Sequence, residues 1–274
     1  MEKIKKFLLA ILVFAFITSC DKDESNPKET NNTTNSNTSV ENQTISAKWV
    51  VNNSSEYESF EFNESGNYII VENQASETTK ITNNEQLIHF GTYEIIDDNT
   101  IELSDFGTLT IDDIDANTIN LSINKTSDPD NEIIISASRQ DEMESSTNTD
   151  LLCRTWKMIT ENGEPVAGTD IELTILFSRA GTYFVTYVNS EVDNQGGLAQ
   201  WKWDNNAETE LLYSWDNWGE AGLVEVTELT STTLTIVEDG DVWELIPATT
   251  TEQVKLITSS EASDKSLKKG IFRK

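Results

Sequence analysis

The chain is poor in cysteine, histidine and basic residues, and each shortage removes a class of chemistry. Its two cysteines are Cys20, which ends a leader segment, and Cys153, so no intramolecular disulfide framework or cysteine-based metal site is available. Cys153, in Leu151-Leu152-Cys153-Arg154-Thr155-Trp156, reads as a buried, inert thiol at the start of a strand. His89 is the single histidine, and a Ser-His-Asp arrangement would have one base to draw on and no nucleophile elbow. It reads as a strand residue flanking Phe90, and no enzymatic activity is expected. The 19 basic residues face 48 acidic ones, a net charge of −29. Without residues 1–19, which hold Lys3, Lys5, Lys6 and Glu2, 16 basic and 47 acidic residues remain. That balance argues against nucleic acid and against direct attraction to anionic lipid, since both need basic patches. Helical periodicity is missing from residues 47–247. Acidic clusters such as Asp97-Asp98, Asp112-Asp113-Ile114-Asp115, Asp128-Pro129-Asp130 and Glu238-Asp239-Gly240-Asp241 do not form the calcium loop Asp-x-Asp-x-Asp-Gly with a closing Glu. Each falls where a turn is expected, and Asp is favoured there for its backbone hydrogen bonds. No metal or cofactor is expected.

What is present begins with an address. Lys3, Lys5 and Lys6 precede the apolar run at 7–17, which is well short of the ~20 residues a spanning helix needs. Ile17-Thr18-Ser19-Cys20 resembles the lipobox of bacterial lipoproteins, in which cleavage precedes the cysteine and its thiol carries diacylglycerol. The resemblance implies a signal peptide at 1–19 and a membrane anchor on Cys20. Asp21-Lys22-Asp23-Glu24 resembles the surface-export signal of Bacteroidota-type lipoproteins, which implies an outer-membrane protein exposed on the cell surface; read only as the start of a solvated tether, it leaves the protein facing the periplasm. Up to residue 46 the chain is rich in Asn, Thr, Ser and Glu. It has too little apolar area to offset its ordering entropy, so 20–46 reads as a lipidated cysteine and a disordered tether.

From residue 47 onward, short alternating runs are separated by turn residues every 8–12 positions or so, the pattern of an all-β sandwich or barrel. The second half gives eight strands, at 153–160, 172–178, 182–189, 198–204, 210–215, 223–229, 233–238 and 241–247. Asp239-Gly240 is the strongest hairpin signal, because both central residues of a type I′ turn need positive φ. The first half repeats the landmarks. Trp49 matches Trp156. Phe62-Asn63-Glu64-Ser65-Gly66-Asn67-Tyr68 matches the Phe-x-x-x-Gly-x-Tyr spacing of Phe177 to Tyr183. Tyr93 falls in line with Trp201, and the segment at 114–121 matches 229–236 in polarity. Four landmarks in one order indicate a tandem duplication. The expected domains are 47–138 and 150–247, with an acidic linker at 139–149 and a tail at 248–274 that is locally basic through Lys265, Lys268, Lys269, Arg273 and Lys274.

With its opening strand near Trp156, the Phe177–Tyr183 turn, Trp201, Leu229-Thr230-Ser231-Thr232-Thr233-Leu234 and the closing Trp243-Glu244-Leu245, the second unit resembles the lipocalin-like domains of Bacteroidota lipoproteins. The first unit resembles them more loosely, with Tyr93 in place of the tryptophan. The resemblance implies two tandem antiparallel up-and-down β-barrels, each enclosing a pocket or a closed core. Trp201 and Trp203 share one face of a strand, and Tyr213 and Trp215 share a face of the next. Facing inward, these rings would either hold a small apolar or amphipathic ligand or fill the barrel. Trp218, in Asn217-Trp218-Gly219-Glu220, would be an exposed stacking surface for glycan or protein, or a lid over the barrel mouth. The expected function is ligand binding by a membrane-anchored protein, inside the second barrel or on exposed loop aromatics.

Overall fold

The computed structural model describes residues 45–54, 56–73, 87–188, 196–215 and 218–249. The leader at 1–19, Cys20, nearly all of the tether and the basic tail lie outside these residues.

Eight antiparallel strands form the first barrel: β1 (Lys48–Val51), β2 (Tyr57–Phe62), β3 (Asn67–Glu72), β4 (Leu87–Ile95), β5 (Thr100–Leu103), β6 (Gly107–Ile114), β7 (Thr118–Lys125) and β8 (Asp128–Arg139). Each pairs with the next, and β8 closes on β1 through Trp49 opposite Arg139 and Val51 opposite Ala137. The second barrel follows the same path with β9 (Thr155–Glu161), the two-residue β10 (Glu164–Pro165), β11 (Leu173–Phe177), β12 (Thr182–Tyr187), β13 (Gly196–Trp203), β14 (Glu210–Ser214), β15 (Gly222–Leu229), β16 (Leu234–Glu238) and β17 (Asp241–Pro247). β10 is a short hairpin on the edge of β9, and pairing of β17 with β9 closes eight strands into a cylinder. Two tandem lipocalin-like up-and-down barrels are therefore the architecture, and every expected strand of the second half is present.

The repeat extends to single atoms. The Trp49 indole N–H donates to Ile45 O at 3.0 Å, and that of Trp156 donates to Leu152 O at 2.9 Å, the same four-residue reach. In the Phe-x-x-x-Gly-x-Tyr turns Gly66 and Gly181 both take φ of 81°. Gly66 N donates to Asn63 O and Gly181 N to Ser178 O, each at 3.1 Å. Across the barrel wall Tyr93 N donates to Gly66 O and Trp201 N to Gly181 O, each at 2.8 Å. Tyr93 itself does the work of the second unit's tryptophan. Its hydroxyl donates to Asn63 O at 2.9 Å as the Trp201 indole donates to Ser178 O at 3.0 Å, and each ring meets a phenylalanine, Phe62 or Phe177, edge-on. The Asp239-Gly240 turn takes φ of 53° and 92°, as its hairpin requires.

Trp49, Trp156, Trp201 and Trp243 are the largest fully buried side chains. An aromatic ring buries roughly 150–250 Å², about 4–6 kcal/mol of gross transfer free energy at ~25 cal/mol per Å². Two features depart from the expectation of independent domains joined by a plain linker. Residues 147–152 form a short helix, α1 (Thr147–Leu152), because the Ser146 hydroxyl accepts from Thr149 N at 3.0 Å and Asp150 sits in the first turn. The barrels also touch. Outward residues Ile69, Val71, Ile88 and Phe90 of β3 and β4 form one apolar cluster with Leu176, Phe184 and Leu198 of β11 to β13. Phe90 and Phe184 stand ring to ring at 4.9 Å, and buried Glu61 accepts a 2.5 Å hydrogen bond from the Thr182 hydroxyl. Equivalent strands of the repeat thus form the seam.

Candidate functional site

The structure brings Trp201, Trp203, Tyr213 and Trp215 together inside the second barrel. β13 turns Trp201 and Trp203 to the interior, where their rings meet edge-on at 5.5 Å, and cross-strand pairing sets Tyr213 beside Trp201. Trp215 meets Tyr183 edge-on at 5.7 Å. Trp201 and Tyr213 are fully buried, and Trp203 and Trp215 pack against the same core. The polar atoms of Trp201, Trp203 and Tyr213 are bonded within the fold. The Trp203 indole donates to the Thr149 hydroxyl of α1 at 2.9 Å. The Tyr213 hydroxyl donates to the carboxylate of buried Glu238 at 2.6 Å, and burial, reinforced by that carboxylate, raises the phenol's pKa. That leaves the ring faces of these three residues, and not their polar groups, to meet a ligand.

Trp218 is elsewhere. It lies in a single 3₁₀ turn (Trp218–Glu220), 39% exposed, with the Lys202 ammonium 4.3 Å from its ring centroid. Lys202 projects from the outer wall of β13, one residue out of phase with buried Trp201, so Trp218 flanks the barrel rather than capping it. Beside it a cavity of about 330 Å³ is lined by Lys48, Gln140, Arg179, Gln200 and Trp201 among others. A second cavity, of about 240 Å³, shares Lys48, Glu142, Arg179 and Ala180 with the first and continues past Arg139 and Arg154 to Glu64. Together they make a groove along the seam. A third cavity, of about 40 Å³, lies between Phe90 and Phe184 and is too small for more than a water or two.

The linker floors the groove. Gln140 N donates to Lys48 O at 2.8 Å, Met143 N to Arg179 O at 2.8 Å, and the Gln140 side chain to Ala180 O at 2.7 Å. The chain runs across the seam and ties the start of β1 to the glycine turn of the second barrel. Arg139 pairs with Glu142 at 3.1 Å, and Arg179 pairs with Asp150, whose carboxyl is held below its usual range by that guanidinium and the Ser145 hydroxyl. Cys153 also lines the groove, but burial pushes its thiol up to about 12, which keeps it protonated and unreactive. Asp97 and Asp115 accept from backbone N–H groups two or three residues on, which makes them turn caps.

A polar cluster inside the first barrel was not anticipated. His89 is a strand residue beside Phe90, but the two side chains point to opposite faces: Phe90 to the seam, His89 inward. There Glu72 Oε1 meets His89 Nε2 at 3.1 Å and Lys125 Nζ at 3.2 Å, with the buried Tyr57 ring 5.0 Å from that ammonium. Burial works to raise the Glu72 pKa, but the hydrogen bonds and charges of His89 and Lys125 outweigh it and hold the carboxyl below its ordinary value. A depressed carboxylate contributes stability above its unfolded pKa and loses it as pH falls through the folded one. Between about pH 6 and about pH 3 the wild-type chain should therefore lose more melting temperature than Glu72→Gln, because the glutamine has no such charge to surrender. Parallel pH titrations of the melting temperature in the two proteins will check this; parallel curves would deny the cluster its role. The signal was in the alternation: Ile70 and Glu72 share a face of β3, as Ile123 and Lys125 do of β7, and both lead inward.

Among the described residues no helix is long and apolar enough to cross a membrane, and no group of His, Cys, Asp and Glu is arranged to hold a metal. The fold is that of two tandem lipocalin-like barrels, with a groove along their seam. No protein-family model matches the sequence, and no curated protein sequence matches it either.

Proposed function

We propose that this chain is a non-enzymatic binding lipoprotein, anchored in the outer membrane through Cys20 and facing the cell exterior, whose ligand lies outside the barrels in the seam groove beside Trp218. One contrast carries the reading: the hydrogen-bonding groups of Trp201, Trp203 and Tyr213 are bonded within the fold, whereas Trp218 is exposed next to about 330 Å³ of open, polar-walled space. An aromatic face flanked by Gln140, Gln200 and charged side chains suits a saccharide, whose ring has an apolar face and a polar rim. Lipid anchoring places such a module at a surface where glycans are met, and the polar segment at 20–46 gives it reach.

A glycan array probed with the full chain tests this. Trp218→Ala should lower binding at least fivefold, the typical cost of truncating an aromatic anchor, and leave the melting temperature unchanged. An apolar molecule that copurifies with the chain and is displaced by Trp203→Leu but not by Trp218→Ala would return the ligand to the barrel interior.

A further inference from the structure

The chain has four arginines, and Arg139, Arg154 and Arg179 all line the cavity of about 240 Å³ together with Lys48. Basic residues are scarce in a protein of net charge −29, so their convergence on one groove is a selective use of charge. Two of the four acids that line the groove are committed. Glu142 is paired with Arg139, and Glu61 is buried against the Thr182 hydroxyl; Asp150, outside the groove, holds Arg179. Asp141 lines only the larger cavity and Glu64 only the smaller. At the junction of the two stand Lys48, Arg179 and Glu142, the last neutralised by Arg139, and the half-buried Lys48 ammonium makes no hydrogen bond or ion pair with any described residue.

We infer that the ligand of this groove is an acidic saccharide, whose carboxylate or sulfate sits at the junction on Lys48 and Arg179 while a neighbouring sugar ring lies against Trp218. The inference rests on the groove being the binding site. Arg179 is fixed by Asp150 through one terminal nitrogen, which leaves the rest of its donor fork pre-oriented for an oxyanion. The chain's overall negative charge does not forbid this. At physiological salt it is screened beyond about 8 Å, whereas contacts at hydrogen-bond distance inside a half-buried groove are screened much less.

The test uses the full chain at physiological salt and two pairs of probes that differ only in charge: oligogalacturonate against its methyl ester, and dextran sulfate against dextran. At least one acidic member should bind roughly tenfold more tightly than its neutral partner. Lys48→Met should erase that preference with no change in melting temperature, Lys48→Arg should keep it, and Trp218→Ala should weaken both members. The pair that responds identifies carboxylate or sulfate as the anion. Equal binding of charged and neutral probes, lost in Trp218→Ala, would overturn the acidic ligand and leave the groove standing. A charge preference that survives Lys48→Met would place the anion elsewhere and overturn it too. Failure of all four probes to bind would remove both the inference and the groove reading.

Discussion

Trp201→Ala is expected to lower the stability of the second barrel by about 3–5 kcal/mol, the range for truncating a large buried aromatic. The indole is 1% exposed and contacts Phe177 and Trp203 edge-on, each at 5.5 Å. Its removal would open a cavity bounded by β-strands that cannot collapse without breaking their ladders. The lost hydrogen bond to Ser178 O adds little, about 1 kcal/mol, because that carbonyl keeps Gly181 N as a donor. Trp201→Phe should recover part of the loss by refilling the space. The same substitution decides between the two uses of these aromatics. A tryptophan lining an open calyx has few neighbours to lose, so its truncation would cost within about 0.5 kcal/mol, as for a surface residue. Chemical denaturation of the full chain gives the answer: a midpoint unmoved by Trp201→Ala would reinstate the interior as the binding site.

Much of this was legible in the chain because turns carry their own chemistry. Asp239-Gly240 and the Phe-x-x-x-Gly-x-Tyr repeats announced the hairpins, and period-two alternation placed Trp201 and Trp203 on one face. Three things were not read from the chain, two of them for physical reasons. Alternation reports which residues share a face but not whether the space before that face is empty, so filled and hollow barrels read alike. The seam had a signal of a different kind. Tyr68-Ile69-Ile70-Val71 and Leu173 to Phe177 hold large apolar residues on both faces, the mark of strands covered on both sides, and every residue of β11 and β12 is buried. The groove had none. Lys48, Arg139, Arg179 and Trp218 are brought together by closure of two barrels and by a linker that bonds to both, and no local pattern encodes that.

The repeated glycine supplies the sharpest test of that long-range arrangement. Gly66 and Gly181 share φ of 81°, so valine at either position forces a β-branched residue into the left-handed region, at a cost on the order of 1–3 kcal/mol. The surroundings then separate them. A Cβ at Gly66 would find its nearest neighbour, Tyr93 O, at 3.8 Å, ordinary contact. A Cβ at Gly181 would lie 3.1 Å from Trp201 O and 3.7 Å from the Met143 methyl, on the linker that floors the groove. Relief there would have to move either the β13 backbone, which Gly181 O holds through Trp201 N, or the linker strap. Gly181→Val should therefore be the more damaging of the two by about 1 kcal/mol or more. Its effect should also cross the seam, since the next residue, Thr182, holds buried Glu61 of the first barrel. Calorimetry of both variants will show it: Gly66→Val should lower the melting of one barrel, and Gly181→Val the melting of both. Equal and confined losses would mean that the linker and the Glu61–Thr182 bond transmit nothing between the barrels. Two unchanged melting profiles would mean that the turn tolerates a side chain, and that the glycine shared by the two repeats is not held there by its backbone.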